Sequence, residues 1–201
     1  MKRYTEEDTG ILSEILRNDG TISVPTDTVY GVCARMSEKA EARLREVKNR
    51  PKTKSFPLMC SDLAQIREIA ETDERAERII KAFMPGPVTV ILKKRENVPA
   101  YVNGGMSTLA IRMATSPVLK ELIELTGTPV FMTSANQSGE KTCTNLDEIE
   151  QACPLLDGML EGSTQFGEAS TIIDCSSSDI RILRPGPVTL EDIKNVLGEE
   201  N

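Results

Sequence analysis

Histidine is absent from this chain. Its absence closes the Ser-His-Asp and Cys-His routes to covalent catalysis. Tryptophan is absent too, and aromatics make up only 3% of residues. The core must therefore be built from Leu, Ile, Val, Met and Ala, and a base-stacking platform for single-stranded nucleic acid is not supported. No two cysteines stand in a CxxC spacing: Cys33, Cys60, Cys143, Cys153 and Cys175 are scattered. Such a set reads as reduced thiols, mostly small core residues, and no metal site is expected. Gly31, Gly104, Gly105 and Gly139 form neither a G-x-G-x-x-G nor a Walker A pattern, which argues against Rossmann and P-loop sites. No apolar run approaches the length of a membrane span. The start, Met1 to Glu7, lacks the apolar stretch of a signal peptide. A cytoplasmic protein without a membrane partner is expected.

What remains is ordinary for a globular protein. The 201 residues are 39% hydrophobic and 27% charged, enough to bury a sizeable core in one domain. The net charge of −7 makes the chain a poor general binder of phosphate backbones. Charge is locally reversed at Lys48, Arg50, Lys52 and Lys54.

Periodicity and punctuation mark out the elements. Thr5, with Asp8 three residues on, can cap a helix whose stripe is Ile11, Leu12, Ile15 and Leu16. Thr21 to Val24 is a strand halted by Pro25. Ser37 can cap a helix through Val47, with Ala40, Leu44 and Val47 on one face. Pro57 to Cys60 reads as a strand. Ser61 and Thr72 are the expected caps of the next two helices. Val88 to Leu92 and Thr108 to Met113 are strands. Ser116-Pro117 opens a helix that Gly127 stops. Pro129 to Met132 is a strand leading into the Ser134 turn. Asn145 opens another helix, Ser170 to Asp174 and Ile180 to Leu183 are late strands, and Thr189 caps the last helix. Short strands interleaved with helices indicate an α/β or α+β domain around one sheet. Pro85-Gly86-Pro87-Val88-Thr89 recurs as Pro185 to Thr189. The first copy runs into a strand and the second into a helix, so the two are not a structural repeat.

Three polar turns border these apolar runs: Pro25-Thr26-Asp27-Thr28-Val29-Tyr30-Gly31, Lys48-Asn49-Arg50-Pro51 and Ser134-Ala135-Asn136-Gln137-Ser138-Gly139. They offer hydroxyls, an amide, backbone N–H groups and fixed positive charge. An anionic ligand with a polar moiety fits them, a nucleoside triphosphate first of all. Lys48 and Arg50 read either as a solvated pair complementing a helix end or as phosphate ligands on a turn, because Pro51 ends the helix at once. Ser134 to Asn136 reads as a ligand turn at a strand end or as a self-bonded turn. Asp27 and Tyr30 read as acid–base residues or as parts of a self-capped turn. Arg112, inside Leu109 to Met113, needs an anionic partner if buried: a substrate carboxylate or a structural Asp or Glu. Positioning and electrostatics suffice for an in-line attack on a phosphate.

With these residues assembled, the chain resembles the YrdC-like family of threonylcarbamoyl-AMP synthases from about Thr21 to Val188. The Pro25 to Gly31 turn resembles the family's first motif. Lys48-Asn49-Arg50 and Ser134-Ala135-Asn136 match its K-x-R and S-x-N signature. Pro85 to Thr89, Ser138-Gly139, Ser170 to Asp174 and Arg184-Pro185-Gly186 follow in the family's order. The Pro51 to Phe56 segment departs from it, being longer than the common pattern and without the His many members carry there.

The resemblance implies a single domain over 1–201, with its core at about 12–188. It implies a twisted mixed sheet flanked by helices around a concave cavity, in the short form without an extra C-terminal domain. The implied reaction converts L-threonine, bicarbonate and ATP to threonylcarbamoyl-AMP and pyrophosphate. The adenylate goes to partner proteins that modify the tRNA adenosine beside the anticodon, and weak direct tRNA binding is compatible. Magnesium would travel with the triphosphate. By the same resemblance Lys48, Arg50, Ser134 and Asn136 are catalytic. Thr26, Arg112, Met132 and Ser170 hold threonine. Thr108, Thr142 and Arg184 join Lys48, Arg50, Ser134 and Asn136 around ATP. The alternative is a double-stranded RNA, tRNA or ribosome-maturation factor without turnover, against which the acidic balance counts.

Overall fold

The computed structural model describes residues 1–165 and 169–198. The expected domain also includes 166–168 and 199–201, which lie outside the described residues. The strands are β1 (Arg3–Tyr4), β2 (Thr21–Val24), β3 (Gly31–Arg35), β4 (Leu58–Cys60), β5 (Val88–Lys93), β6 (Thr108–Met113), β7 (Val130–Ser134), β8 (Gly158–Leu160), β9 (Thr171–Asp174) and β10 (Arg181–Arg184). The helices are α1 (Thr9–Arg17), α2 (Glu38–Lys48), α3 (Leu63–Ile69), α4 (Glu74–Phe83), α5 (Pro117–Thr126), α6 (Leu146–Ala152) and α7 (Leu190–Leu197).

The strands form one mixed sheet in the order β1-β8-β2-β3-β7-β4-β6-β5-β9-β10. Antiparallel pairing runs from β2 through β3 and β7 to β4, and β4 then pairs with β6 in parallel. This is the expected mixed sheet flanked by helices. Two buried clusters show how the faces are covered. Val32, Ala34, Leu58, Ile111, Phe131, Val90 and Ile173 pack with side chains of α2, α3, α4, α6 and α7. Ile22, Val24, Cys33, Met59, Val130 and Met132 pack with α1 and α5 on the other face.

Local chemistry sets the element ends. Ser116 accepts from the Leu119 N–H at 3.2 Å, Pro117 follows it, and Gly127 closes α5 in the left-handed region at φ 77°. Several expectations shift by a residue or a role. Thr5 and Asp8 bond reciprocally, but around a 3-10 turn, Glu6–Asp8, that precedes α1. Leu12 and Leu16 of the α1 stripe are fully buried, whereas Ile11 is 44% exposed. The caps of α3 and α4 are Asp62 and Asp73, not Ser61 and Thr72. A carboxylate one residue further on meets the free N–H groups and the positive end of the dipole. Three strands, β1, β3 and β8, carry no sequence signal used above. The first and last are two and three residues long, and β3 is buried on both faces, so it shows no alternation.

Candidate functional site

The Pro25 to Gly31 turn joins β2 to β3, whose partner is β7, so Gly31 lies opposite Ser134. This register brings the first and third motifs together at one end of three neighbouring strands. A β-carbon at Gly31 would stand 2.3 Å from the Met132 sulfur. Glycine there leaves room for the Met132 side chain. Ser134 belongs to β7 itself, not to the turn after it, and the loop beyond folds back on α2. The Ala135 N–H donates to the Tyr30 carbonyl at 2.7 Å, and the Ser138 N–H donates to the Lys48 carbonyl at 3.0 Å. Gln137 Nε2 donates to the Val47 carbonyl at 3.1 Å. The S-x-N loop thereby satisfies carbonyls that the end of α2 leaves free. Nothing in the sequence pattern had singled out Gln137.

Lys48 is not on a turn. It is the last residue of α2, only 1% exposed, and the helix ends because Asn49 turns left-handed at φ 45°, before Pro51. Its ammonium donates to the Ser134 and Asn136 carbonyls and, at 3.0 Å, to Asn136 Oδ1. Burial lowers its pKa to about 8. The Ser134 hydroxyl donates to the same Asn136 oxygen at 2.6 Å, while Asn136 Nδ2 donates to the Gln137 and Glu140 carbonyls. Lys48, Ser134 and Asn136 thus form one closed network. The cue to the burial of Lys48 was its place four residues after Leu44 and eight after Ala40, on the apolar face.

Arg50 stands beside this network and not within it. It donates to the Ser55 carbonyl at 2.6 Å and the Lys54 carbonyl at 3.3 Å. Its guanidinium lies 4.8 Å from the Phe56 ring, with Arg45 5.0 Å from the same ring. Burial and the neighbouring Arg45 both lower the Arg50 pKa. The extended Pro51 to Phe56 segment is therefore wrapped around Arg50.

A second cluster forms around Arg112. It shares the α1/α5 face, because Met59 pairs with both Val130 and Arg112. On this face Thr108 and Ala110 of β6 and Ile91 of β5 are half-buried. Arg112 has an internal partner: Nη2 donates to Asp27 Oδ1 at 2.7 Å and to the Gly86 carbonyl at 3.1 Å, and Nη1 donates to Thr28 Oγ1 at 3.0 Å. The structural Asp left open by the sequence is thus present. Thr26 shapes the same turn, with its hydroxyl donating to the Val29 carbonyl at 2.6 Å and lying 3.1 Å from Thr28 Oγ1. Arg184 donates twice to the Ser170 carbonyl, at 3.0 and 2.7 Å, and to Ser170 Oγ at 3.1 Å. Ser170 Oγ is 2.7 Å from Thr89 Oγ1. Burial and repulsion from Arg112 both lower the Arg184 pKa. Thr108 and Thr142 are half-buried, and neither hydroxyl bonds another candidate residue among the described residues. Tyr30 donates its hydroxyl to the Gly162 carbonyl.

Gly186 fixes the Ser170 side of this cluster. A β-carbon there would lie 2.6 Å from the Thr171 nitrogen, 2.8 Å from the Ala169 oxygen and 2.9 Å from the Ser170 carbonyl carbon. All three atoms are backbone, so they cannot rotate aside. Gly186→Ala is expected to cost about 1–3 kcal/mol of stability by overpacking and to disturb Ser170. Thermal unfolding of the variant checks it.

The family model for Sua5, YciO and YrdC proteins, described as "Telomere recombination", matches residues 14–186. The chain belongs to this family. A threonylcarbamoyl-AMP synthase of Pyrococcus abyssi is 35% identical over 206 residues, covering 98% of this chain and 59% of the relative. One from Bacillus subtilis is 32% identical over 192 residues, covering 92% and 55%. This chain therefore spans little more than half the length of either relative. The crystal structure of P. abyssi Sua5 complexed with L-threonine superposes with a TM-score of 0.90 at 33% identity, covering 98% of this chain and 61% of that one. The crystal structure of E. coli YciO gives 0.84 at 25% identity, covering 96% and 98%. Among the described residues no helix is long and apolar enough to cross a membrane, and no group of three or more His, Cys, Asp or Glu could hold a metal ion.

Proposed function

We propose that this Sua5/YciO/YrdC-family chain is an L-threonylcarbamoyladenylate synthase, forming threonylcarbamoyl-AMP and pyrophosphate from L-threonine, bicarbonate and ATP. The observation that carries the reading is the Pro25 to Gly31 turn. One end of it meets the Lys48–Ser134–Asn136 network through Tyr30 and Gly31, and the other meets Arg112 through Asp27 and Thr28. Two substrates held on either side of one turn would be presented to each other. The curated relatives named for this activity, and the related structure titled as a threonine complex, support the same reading.

In this reading Thr26, Arg112, Met132 and Ser170 hold the amino acid. Lys48, Arg50, Thr108, Ser134, Asn136, Thr142 and Arg184 surround the nucleotide. A carbamate oxygen of N-carboxythreonine attacks the α-phosphorus. The new P–O bond forms as the bond to the bridging oxygen breaks, and pyrophosphate leaves with the electron pair. The residues supply alignment and fixed positive charge. Lys48 does so indirectly, by setting the S-x-N loop. Magnesium enters as part of the substrate, on the triphosphate. The product passes to partner proteins of the tRNA modification. The chain is one domain over 1–201 with its core at about 12–188, and it works in the cytoplasm.

Pyrophosphate release from ATP should require threonine and bicarbonate, each omitted in turn. Release that ignores both omissions overturns the assignment. Serine should be used less well than threonine. The missing methyl is worth about 0.8 kcal/mol when buried, roughly fourfold in binding. Comparison of turnover at matched low concentrations of the two amino acids checks this.

A further inference from the structure

Among the described residues, two buried atoms of the Arg112 cluster have no hydrogen-bond partner: Arg112 Nε and Asp27 Oδ2. Both residues are only 8% exposed. A buried polar atom left without a partner is costly, and few are found in folded proteins. Here two occur on directly bonded side chains. One can only donate. The other, on an ionised carboxylate, can only accept. Packing does not explain the arrangement, because the remaining polar atoms of both side chains are bonded: Arg112 to Asp27 Oδ1, Thr28 and Gly86. Backbone bonds hold Asp27 in place as well. Its N–H donates to Thr115 Oγ1 at 3.2 Å, and its carbonyl accepts from the Gln165 N–H at 3.0 Å.

An α-amino acid carries the complementary pair. Its carboxylate accepts and its amine donates, on the same carbon. Charge points the same way. Arg112 and Arg184 repel one another here, and among the described residues Asp27 is the one carboxylate bonded to either. A ligand bringing a carboxylate would supply the second negative charge, and its amine would return a donor to Asp27.

We propose that Asp27 is a substrate-contacting residue, with its free oxygen Oδ2 taking the amine of the amino acid while Oδ1 aligns the Arg112 fork for the carboxylate. This rests on the synthase reading above and adds the group that recognises the amine. It makes Asp27 the residue that separates α-amino acids from carboxylic acids of the same shape.

The test compares L-threonine with 3-hydroxybutanoate, which keeps the carboxylate and hydroxyl but has hydrogen in place of the amine. Binding is measured by calorimetry on the whole protein. Wild type should prefer threonine by about tenfold to a hundredfold, the range of a hydrogen bond to a charged group. Asp27→Asn should bring the two affinities together, and Asp27→Glu should restore part of the preference. A purely structural Asp27 would weaken both acids alike and keep their ratio. Equal binding of the two acids by wild type, or a preserved ratio in Asp27→Asn, overturns the proposal. If Asp27→Asn does not fold, the wild-type ratio alone decides. Pyrophosphate release is followed in the same preparation. Threonine-dependent release with equal binding sinks only the role of Asp27, whereas release that ignores threonine sinks the synthase reading itself.

Discussion

Replacing Lys48 with alanine is expected to lose both turnover and stability. The ammonium is buried and donates to three acceptors on the S-x-N loop. Alanine takes the ammonium from all three acceptors, of which Asn136 Oδ1 keeps the Ser134 hydroxyl, and opens a cavity at the end of α2. The combined cost is about 2–5 kcal/mol, or a fall of roughly 5–15 °C in Tm for a chain of this size. Pyrophosphate release should fall at least about a hundredfold as Ser134 and Asn136 lose their alignment. Arg50→Ala should behave differently. Its partners are two carbonyls and the Phe56 ring, so turnover should fall with a smaller change in Tm. Thermal scans and initial rates on both variants separate the roles, and an unchanged Tm in Lys48→Ala would contradict the buried network. The lysine also predicts a pH effect. Its native pKa is lowered to about 8, whereas an unfolded lysine titrates near 10.4. A neutral amine has two N–H groups for three acceptors, so turnover should decline as pH rises through about 8. Stability should move the other way. Between the two pKa values the unfolded chain binds more protons, so this group's contribution grows with rising pH and is lost as pH falls back through about 8. Lys48→Arg should remove that alkaline limb.

Arg112→Lys should damage the amino-acid side more than the nucleotide side. Lysine keeps the charge but cannot reach Asp27, Thr28 and Gly86 together. The apparent threonine requirement should rise about tenfold or more, while the ATP requirement changes by less than about threefold. Tm should drop even without threonine, because a buried ion pair is loosened; removing one partner outright costs about 3–5 kcal/mol. Threonine should raise the Tm of wild type more than that of the variant. A variant that loses stability but keeps its threonine dependence would make Arg112 a structural ion-pair partner and nothing more.

Much of this was visible in the residues, and what was hidden has physical causes. The helices with clear caps, at Ser37, Ser116 and Thr189, begin where their hydroxyls predict. The register that unites the motifs was not legible, because β3 is buried on both faces and follows a polar turn. The partner of Arg112 could be stated only as an alternative, since Asp27 lies 85 residues upstream and only the fold brings it near. In the sequence Lys48 reads either as solvated charge or as a phosphate ligand on a turn, and neither reading buries it. Its helical spacing from Leu44 carried the opposite message. The Ser134 loop was recognised by its residue types, yet its dependence on Gln137 and on the end of α2 is a matter of tertiary hydrogen bonding.

The Pro25 to Gly31 turn has a thermodynamic consequence. Its backbone bonds the loop that carries Asn136, and its side chains bond Arg112. A ligand that orders this turn from one side lowers the entropy still to be lost when the other arrives. Threonine and nucleotide should therefore bind with positive heterotropic cooperativity, without any large movement of the sheet. Linkage makes the effect reciprocal: the factor by which ATP tightens threonine must equal the factor by which threonine tightens ATP.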